Sequence, residues 1–324
     1  MATIPGPRSL RATFLLVLAI LAMVAVPAAL TLHTVRVSPL VPQSVSDPSP
    51  YGYTVSLLLF IVPSLVIGGW LVPRERVHIS KKSFAITIAV LFPLGALLDF
   101  LFAAKFFTFP DPGATLLILA PALGHWVPIE EYVFYFTGFV FTLLLYVWLD
   151  EYWLAAYATA SDHPARTSFD RILRFHPWSL AGAVVLIAAA VTYKRVIAAE
   201  PGYPGYFTFL TAGALLPSAA LFPAALPVIN WRAFSLAMFM VLLISLLWEA
   251  TLGVPYGWWG FQEEEMIGIR ITAWSNLPLE EVFVWIAVTY ATVIVYENVR
   301  SWQASGRSAA SAFLGRGAER KKAA

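Results

Sequence analysis

The string Pro128-Ile129-Glu130-Glu131 opens a long apolar run, and Pro278-Leu279-Glu280-Glu281 opens another at an offset of 150 residues. At that same offset Asp99 corresponds to Glu249, Lys82 to Arg232 and Tyr135 to Trp285. Proline suits the first turn of a helix because its missing N–H would have no partner there. Glutamates just behind it lie at the positive end of the helix dipole, each stabilised by about 0.3–1 kcal/mol. A helix start at a membrane interface therefore accounts for one copy. It does not account for Asp99 and Glu249, which lie inside or at the edge of apolar runs. A charged acid near mid-membrane costs about 2.5–3.5 kcal/mol, so such acids face a cavity and do something there.

Working outward, the apolar residues come in blocks of about the 20 needed to cross a bilayer. The 324-residue chain is 59% hydrophobic and only 12% charged, about half the charge of a soluble domain. The sequence predicts an all-α, polytopic membrane protein with about eight spans, near 13–32, 55–72, 84–102, 129–149, 179–193, 206–226, 234–252 and 282–296. The first follows Arg8 and Arg11 as a signal peptide would, but its run of about 20 residues exceeds the usual signal core of roughly 7–15, so it reads as a retained helix. Eight spans leave both termini on one side with 73–83, 150–178 and 227–232. That side carries all but five of the 21 Lys and Arg, the exceptions being Arg36, Lys105, Lys194, Arg195 and Arg270. Positive-inside bias predicts a multi-pass protein of the cytoplasmic membrane with both termini in the cytoplasm.

The chain divides near residue 165 into a first four-span unit, 1–165, and a second, 166–302, followed by a small, polar, basic tail, 303–324, expected to be disordered. An even number of spans per unit makes the two parallel repeats, with both Glu pairs on one side of the membrane. The segments 103–127 and 253–277, rich in Gly, Pro and aromatics, are placed to fold back as lids over the carboxylates.

Helical spacing adds aromatic partners. Tyr135 follows Glu131 by four residues and Trp285 follows Glu281 by four; Phe134 stands four after Glu130, and Phe283 three after Glu280. Acids beside aromatic faces in apolar surroundings suit cationic chemistry: the acid holds a proton and the π-face stabilises the positive charge that results. With 12 Trp, 13 Tyr and 23 Phe, many aromatics also pack or belt the interface. Other chemistries are excluded. The chain has no cysteine for disulfides or thiolate metal sites and no Gly-x-Gly-x-x-Gly string for a dinucleotide. Its five histidines form no i, i+3 or i, i+4 pair for a di-iron centre, and it lacks an Asp-Asp-x-x-Asp string for a magnesium diphosphate. His125, ahead of the first Glu pair, reads as interfacial, since Ser275 takes its place in the second half. A net charge of +2 does not point to nucleic acid.

These strings, the acid in each preceding span and the connector Gly257-Trp258-Trp259-Gly260-Phe261 resemble the cofactor-independent, integral-membrane lycopene cyclases, which occur as heterodimers of small subunits and as fused chains. The resemblance is closest over 232–296, with Trp248-Glu249, Gly257-Trp258, Gly268 and Pro278 to Phe283, and looser over 82–148. The fused family is usually built from two three-span units, so the spans 13–32 and 179–193 look additional here, and the first connector lacks the Gly-Trp dipeptide. The resemblance implies a lycopene β-cyclase, an intramolecular isomerase of carotenoid biosynthesis. Glu130, Glu131, Glu280, Glu281, Asp99 and Glu249 would be its catalytic acids, and Phe134, Tyr135, Trp248, Trp258, Phe283 and Trp285 would line the substrate. It implies no cofactor and no metal. Its partners would be lycopene dissolved in lipid, the membrane lipids and other carotenoid-pathway enzymes. Two other readings share these features: a secondary transporter with intramembrane carboxylates, and a related cyclase acting on a C50 or other carotenoid. A purely structural subunit would leave Asp99 and Glu249 unexplained.

Overall fold

The computed structural model describes residues 50–74, 77, 79–160 and 164–315. Seven helices among them are long and apolar enough to cross a membrane: α1 (Gly52–Arg74), α2 (Lys81–Phe106), α3 (Ile129–Trp153), α4 (Pro177–Ile197), α5 (Gly205–Ala225), α6 (Trp231–Gly253) and α7 (Glu280–Ala304). They take up seven of the eight expected spans; the remaining one, 13–32, lies outside the described residues. Helix starts follow local chemistry. Pro128, at φ −58°, leads directly into α3, and Asn230 caps α6 by accepting from the Ala233 N–H at 3.3 Å.

The 303–324 tail corrects one expectation. Helix α7 runs on to Ala304, and a short helix α8 (Ala309–Leu314) follows. Its Phe313 meets Trp302 edge-on at 5.7 Å between ring centroids, and the Ile172 and Leu173 N–H groups donate to the carbonyls of Ala312 and Phe313, so a ring contact and backbone hydrogen bonds together dock it. Residues 316–324 lie outside the described residues.

Helix α7 is central: it packs on α5 and α6 and also touches α2 and α3, while α1 lies on α3 and α4 on α5. Half or more of the apolar window of α3, α6 and α7 is buried (61%, 50% and 50%), against 17–22% for the other four. The outer helices thus present their apolar faces outward, as a bilayer requires. Several helices end in a wider π-turn, among them Leu149–Trp153 at the end of α3 and Glu249–Gly253 at the end of α6.

The fold is not purely helical. The connectors 107–128 and 254–279 carry short antiparallel pairs. In the first, β2 (Leu119–Ala122) pairs with β3 (His125–Pro128) around Gly124, whose φ of +74° suits glycine. In the second, β5 (Arg270–Ile271) pairs with β6 (Leu277–Pro278). A third pair joins the two connectors: β1 (Phe107–Thr108) lies beside β4 (Gly260–Phe261). Both connectors, and with them both Pro-x-Glu-Glu strings, therefore occupy the same end of the bundle.

Candidate active site

The two glutamates of each string have separate surroundings, because consecutive helical residues point about 100° apart. The first of each pair ties down the connector before it. Glu130 Oε1 accepts from Leu116 N–H at 2.7 Å and from the Thr54 hydroxyl at 2.5 Å. Glu280 Oε1 accepts from Ile267 N–H at 2.5 Å. Backbone amides 14 and 13 residues upstream are thus held over the helix starts.

The second of each pair turns into the bundle. Glu131 accepts from the Tyr53 hydroxyl on α1 and lies within electrostatic reach of Asp99 on α2 and Glu249 on α6. Glu281 adjoins Glu249 and Tyr206 on α5. Glu249, at the first residue of its π-turn, accepts from Trp259 Nε1 at 2.9 Å. All four acids are buried. Asp99 has no hydrogen-bond partner on either carboxylate oxygen. The ion pairs found among the described residues lie elsewhere, so this group of acids is held without cations. Such a group can divide its labour, one carboxyl donating a proton while a neighbour accepts one. Among the described residues no three His, Cys, Asp or Glu side chains are grouped to hold a metal ion.

Aromatic rings wall the acids in. Phe60 on α1 stacks on Trp285 at 5.4 Å and meets Trp248 edge-on at 5.2 Å. Phe134 stacks on Trp248 at 5.4 Å and stands edge-on to Trp285 at 5.4 Å. Tyr135 stands edge-on to Phe134 at 5.6 Å and lies across Gly95, one helical turn before Asp99 on α2. Of the aromatics expected at the substrate, the structure brings Phe134, Tyr135, Trp248 and Trp285 together. Phe283 turns away and packs on Phe207 at 4.8 Å. Trp258 stacks on Tyr256 at 5.7 Å and lies over Gly52, where a Cβ would strike its ring. Its neighbour Trp259 reaches the acids instead. It can do so because it lies across Gly253, where any side chain would run into its indole. His125 is exposed on β3.

Tyr53, Tyr206, Phe60 and Trp259 are site residues that sequence reasoning did not single out. A signal for the tyrosines is present: Gly52-Tyr53 opens α1 and Gly205-Tyr206 opens α5, each placing a phenol beside the second glutamate of its own half. Their offset is 153 rather than 150, so alignment on the Glu strings passes over them. Comparison with known proteins finds no family model, curated protein or solved structure that matches the chain.

Proposed function

We propose that this chain is a cofactor-independent cyclase of a linear carotenoid, of the lycopene β-cyclase type. The observation that carries this reading is the meeting of Asp99, Glu131, Glu249 and Glu281, from four different apolar helices, inside an aromatic wall. A carboxylic acid at this place adds its proton to the terminal double bond of the polyene. The cation formed is attacked by the neighbouring double bond, which closes a six-membered ring and moves the positive charge onto a ring carbon. A carboxylate then removes a proton from the adjacent ring carbon, leaving a ring double bond. One proton enters and one leaves, so no redox cofactor is needed. The faces of Phe60, Phe134, Trp248 and Trp285 stabilise the passing cation, and the apolar helices exclude the water that would quench it. Glu131 and Glu281, with Asp99 and Glu249, handle the protons. Glu130 and Glu280 act as positioning residues that hold the lids. The substrate arrives dissolved in lipid, which is why the catalyst is built within membrane-spanning helices.

Expression in a lycopene-accumulating bacterium should convert red pigment to yellow-orange cyclic product without added cofactor, read by chromatography of the extracted carotenoids. Unchanged lycopene, with the protein shown to be in the membrane, overturns the reading. In this reading the connector end faces outside and both termini lie in the cytoplasm, an orientation the Lys/Arg asymmetry supports. Because the chain has no cysteine, single cysteines report this directly. Leu123→Cys and Asn276→Cys, both at exposed connector positions, should react with an impermeant thiol reagent from outside, and Ala160→Cys only after the membrane is opened. Reaction of the first two from opposite sides would separate the acid pairs and remove the shared site.

A further inference from the structure

Helices α3 and α7 run side by side in the same direction, away from the carboxylates. Gly138 faces the Trp285 ring, and Tyr146 meets Tyr296 at 6.2 Å. Along this contact α7 places Glu281, Trp285, Thr289, Thr292, Tyr296 and Arg300 at spacings of 4, 4, 3, 4 and 4, all buried. On α3, Glu131, Tyr135, Thr142, Tyr146 and Asp150 recur at spacings of 4, 7, 4 and 4, one stripe of a helix whose Tyr146 and Asp150 meet Tyr296 and Arg300 of α7. Nineteen residues from Glu281 to Arg300 rise about 28 Å, close to the hydrocarbon thickness of a bilayer. The far end closes in a charged cluster. Arg300 contacts Asp150 at 2.8 Å and also Glu151. Glu297 holds Arg166 at 2.5 Å and accepts from the Tyr146 hydroxyl at 2.8 Å.

The hydroxyls between the two ends set this contact apart. Elsewhere in the spans, Ser64 donates back to Phe60, Thr87 to Ser83, Thr137 to Val133 and Thr251 to Leu247, at 2.6–2.8 Å, while Thr54 and Ser218 bond to side chains of other helices. Thr142, Thr289 and Thr292, and Ser245 on α6 one turn from Glu249, have no partner although each is fully buried. Buried polar groups are hydrogen-bonded to protein or to ordered water. Steps of three or four residues separate successive side chains by about 4.5–6 Å, too far for direct hydroxyl–hydroxyl bonds and suited to one bridging water.

We infer that the α3–α7 contact is a hydrated seam, a chain of bound waters that carries protons between the Asp150/Glu297/Arg300 cluster and the carboxylates at the connector end. In one relay each bridging oxygen takes up one proton and gives up another, so only the ends change: the acid at the cluster end loses its proton, the carboxylate at the connector end gains one, and water beside the cluster re-protonates the donor, so no redox partner is needed. The seam goes beyond the cyclase reading and does not depend on it.

The test is radiolytic hydroxyl-radical labelling of the full-length protein in lipid bilayers in H₂¹⁸O, which oxidises side chains beside bound water. Tyr146 and Tyr296 are 0% and 1% exposed, as are Phe60 and Phe141 in the dry aromatic packing. Labelling of the two tyrosines should exceed that of the two phenylalanines at least fivefold, carry ¹⁸O, and fall severalfold in T142V/T292V. The near-isosteric T87V, at a hydroxyl already bonded within its helix, should leave labelling unchanged, and T292S should keep it. Tyrosine labelling no greater than that of Phe60 and Phe141, or unaltered in T142V/T292V, overturns the seam. Where the host forms cyclic product, membranes given preformed unlabelled lycopene in D₂O should place one deuterium in each ring, and T142V/T292V should lower that fraction. An unaltered fraction overturns proton delivery by this route. A host that forms no product rejects the cyclase and leaves the labelling result standing.

Discussion

The two halves place their acids alike and hold them differently. In the first, Glu130 and Thr54 fasten a connector that is almost free of charge, and its hairpin leaves Leu119 and Trp126 56% and 67% exposed. In the second, Glu280 shares the work with Lys194, a fully buried lysine on α4 that donates to the carbonyls of Met266 and Glu263. That connector carries Glu263 and Glu264 exposed, with Arg270 paired to Glu263 and Glu265 packed over Gly205 at the start of α5. The difference teaches that the carboxylate positions are the constrained part of the design, whereas any loop able to offer one amide to the first glutamate can cover them.

The sharpest way to break that equivalence is at the inward-facing acids. Glu131→Gln and Glu281→Gln should each lower ring formation by about 10²–10⁴, the usual loss of a general acid or base, because the amide keeps the shape but cannot exchange the proton. Pigment conversion at matched membrane protein levels reads this. Near-wild-type conversion in one of the two would show that only one half does chemistry.

A smaller effect should separate the lids. Lys194→Met removes a charge-assisted hydrogen-bonding group from the second connector and should destabilise the protein by about 1.5–3 kcal/mol. Thr54→Val removes one neutral hydroxyl from the first and should cost about 0.5–1.5 kcal/mol. Thermal unfolding in detergent would order the two. The reverse order would mean that the apolar hairpin, not the charged connector, is the more tightly fastened lid.

Much was decided locally. Apolar blocks long enough to cross a bilayer leave the backbone no alternative but helix, since nothing in hydrocarbon can accept its hydrogen bonds, and seven of the spans follow from that alone. The Pro-x-Glu-Glu strings mark helix starts because proline and acids favour the first turn wherever they occur. The repeat offset named six acids, Glu130, Glu131, Glu280, Glu281, Asp99 and Glu249, of which Asp99, Glu131, Glu249 and Glu281 turn into the bundle. What a linear pattern cannot state is direction. Glu130 and Glu131 are one residue apart, yet one holds a loop amide and the other enters the bundle, and only the packing of α3 against α1 and α2 selects which. The same holds for Trp258 and Trp259, where a missing side chain at Gly253 admits one indole to Glu249. Tyr53 and Tyr206 stand outside the 150-residue register, so contact alone reveals them. Sequence fixes which groups lie within the membrane, because burial of apolar length is a local property. Tertiary structure decides which of them meet, because that depends on helices packing across distances the chain does not record.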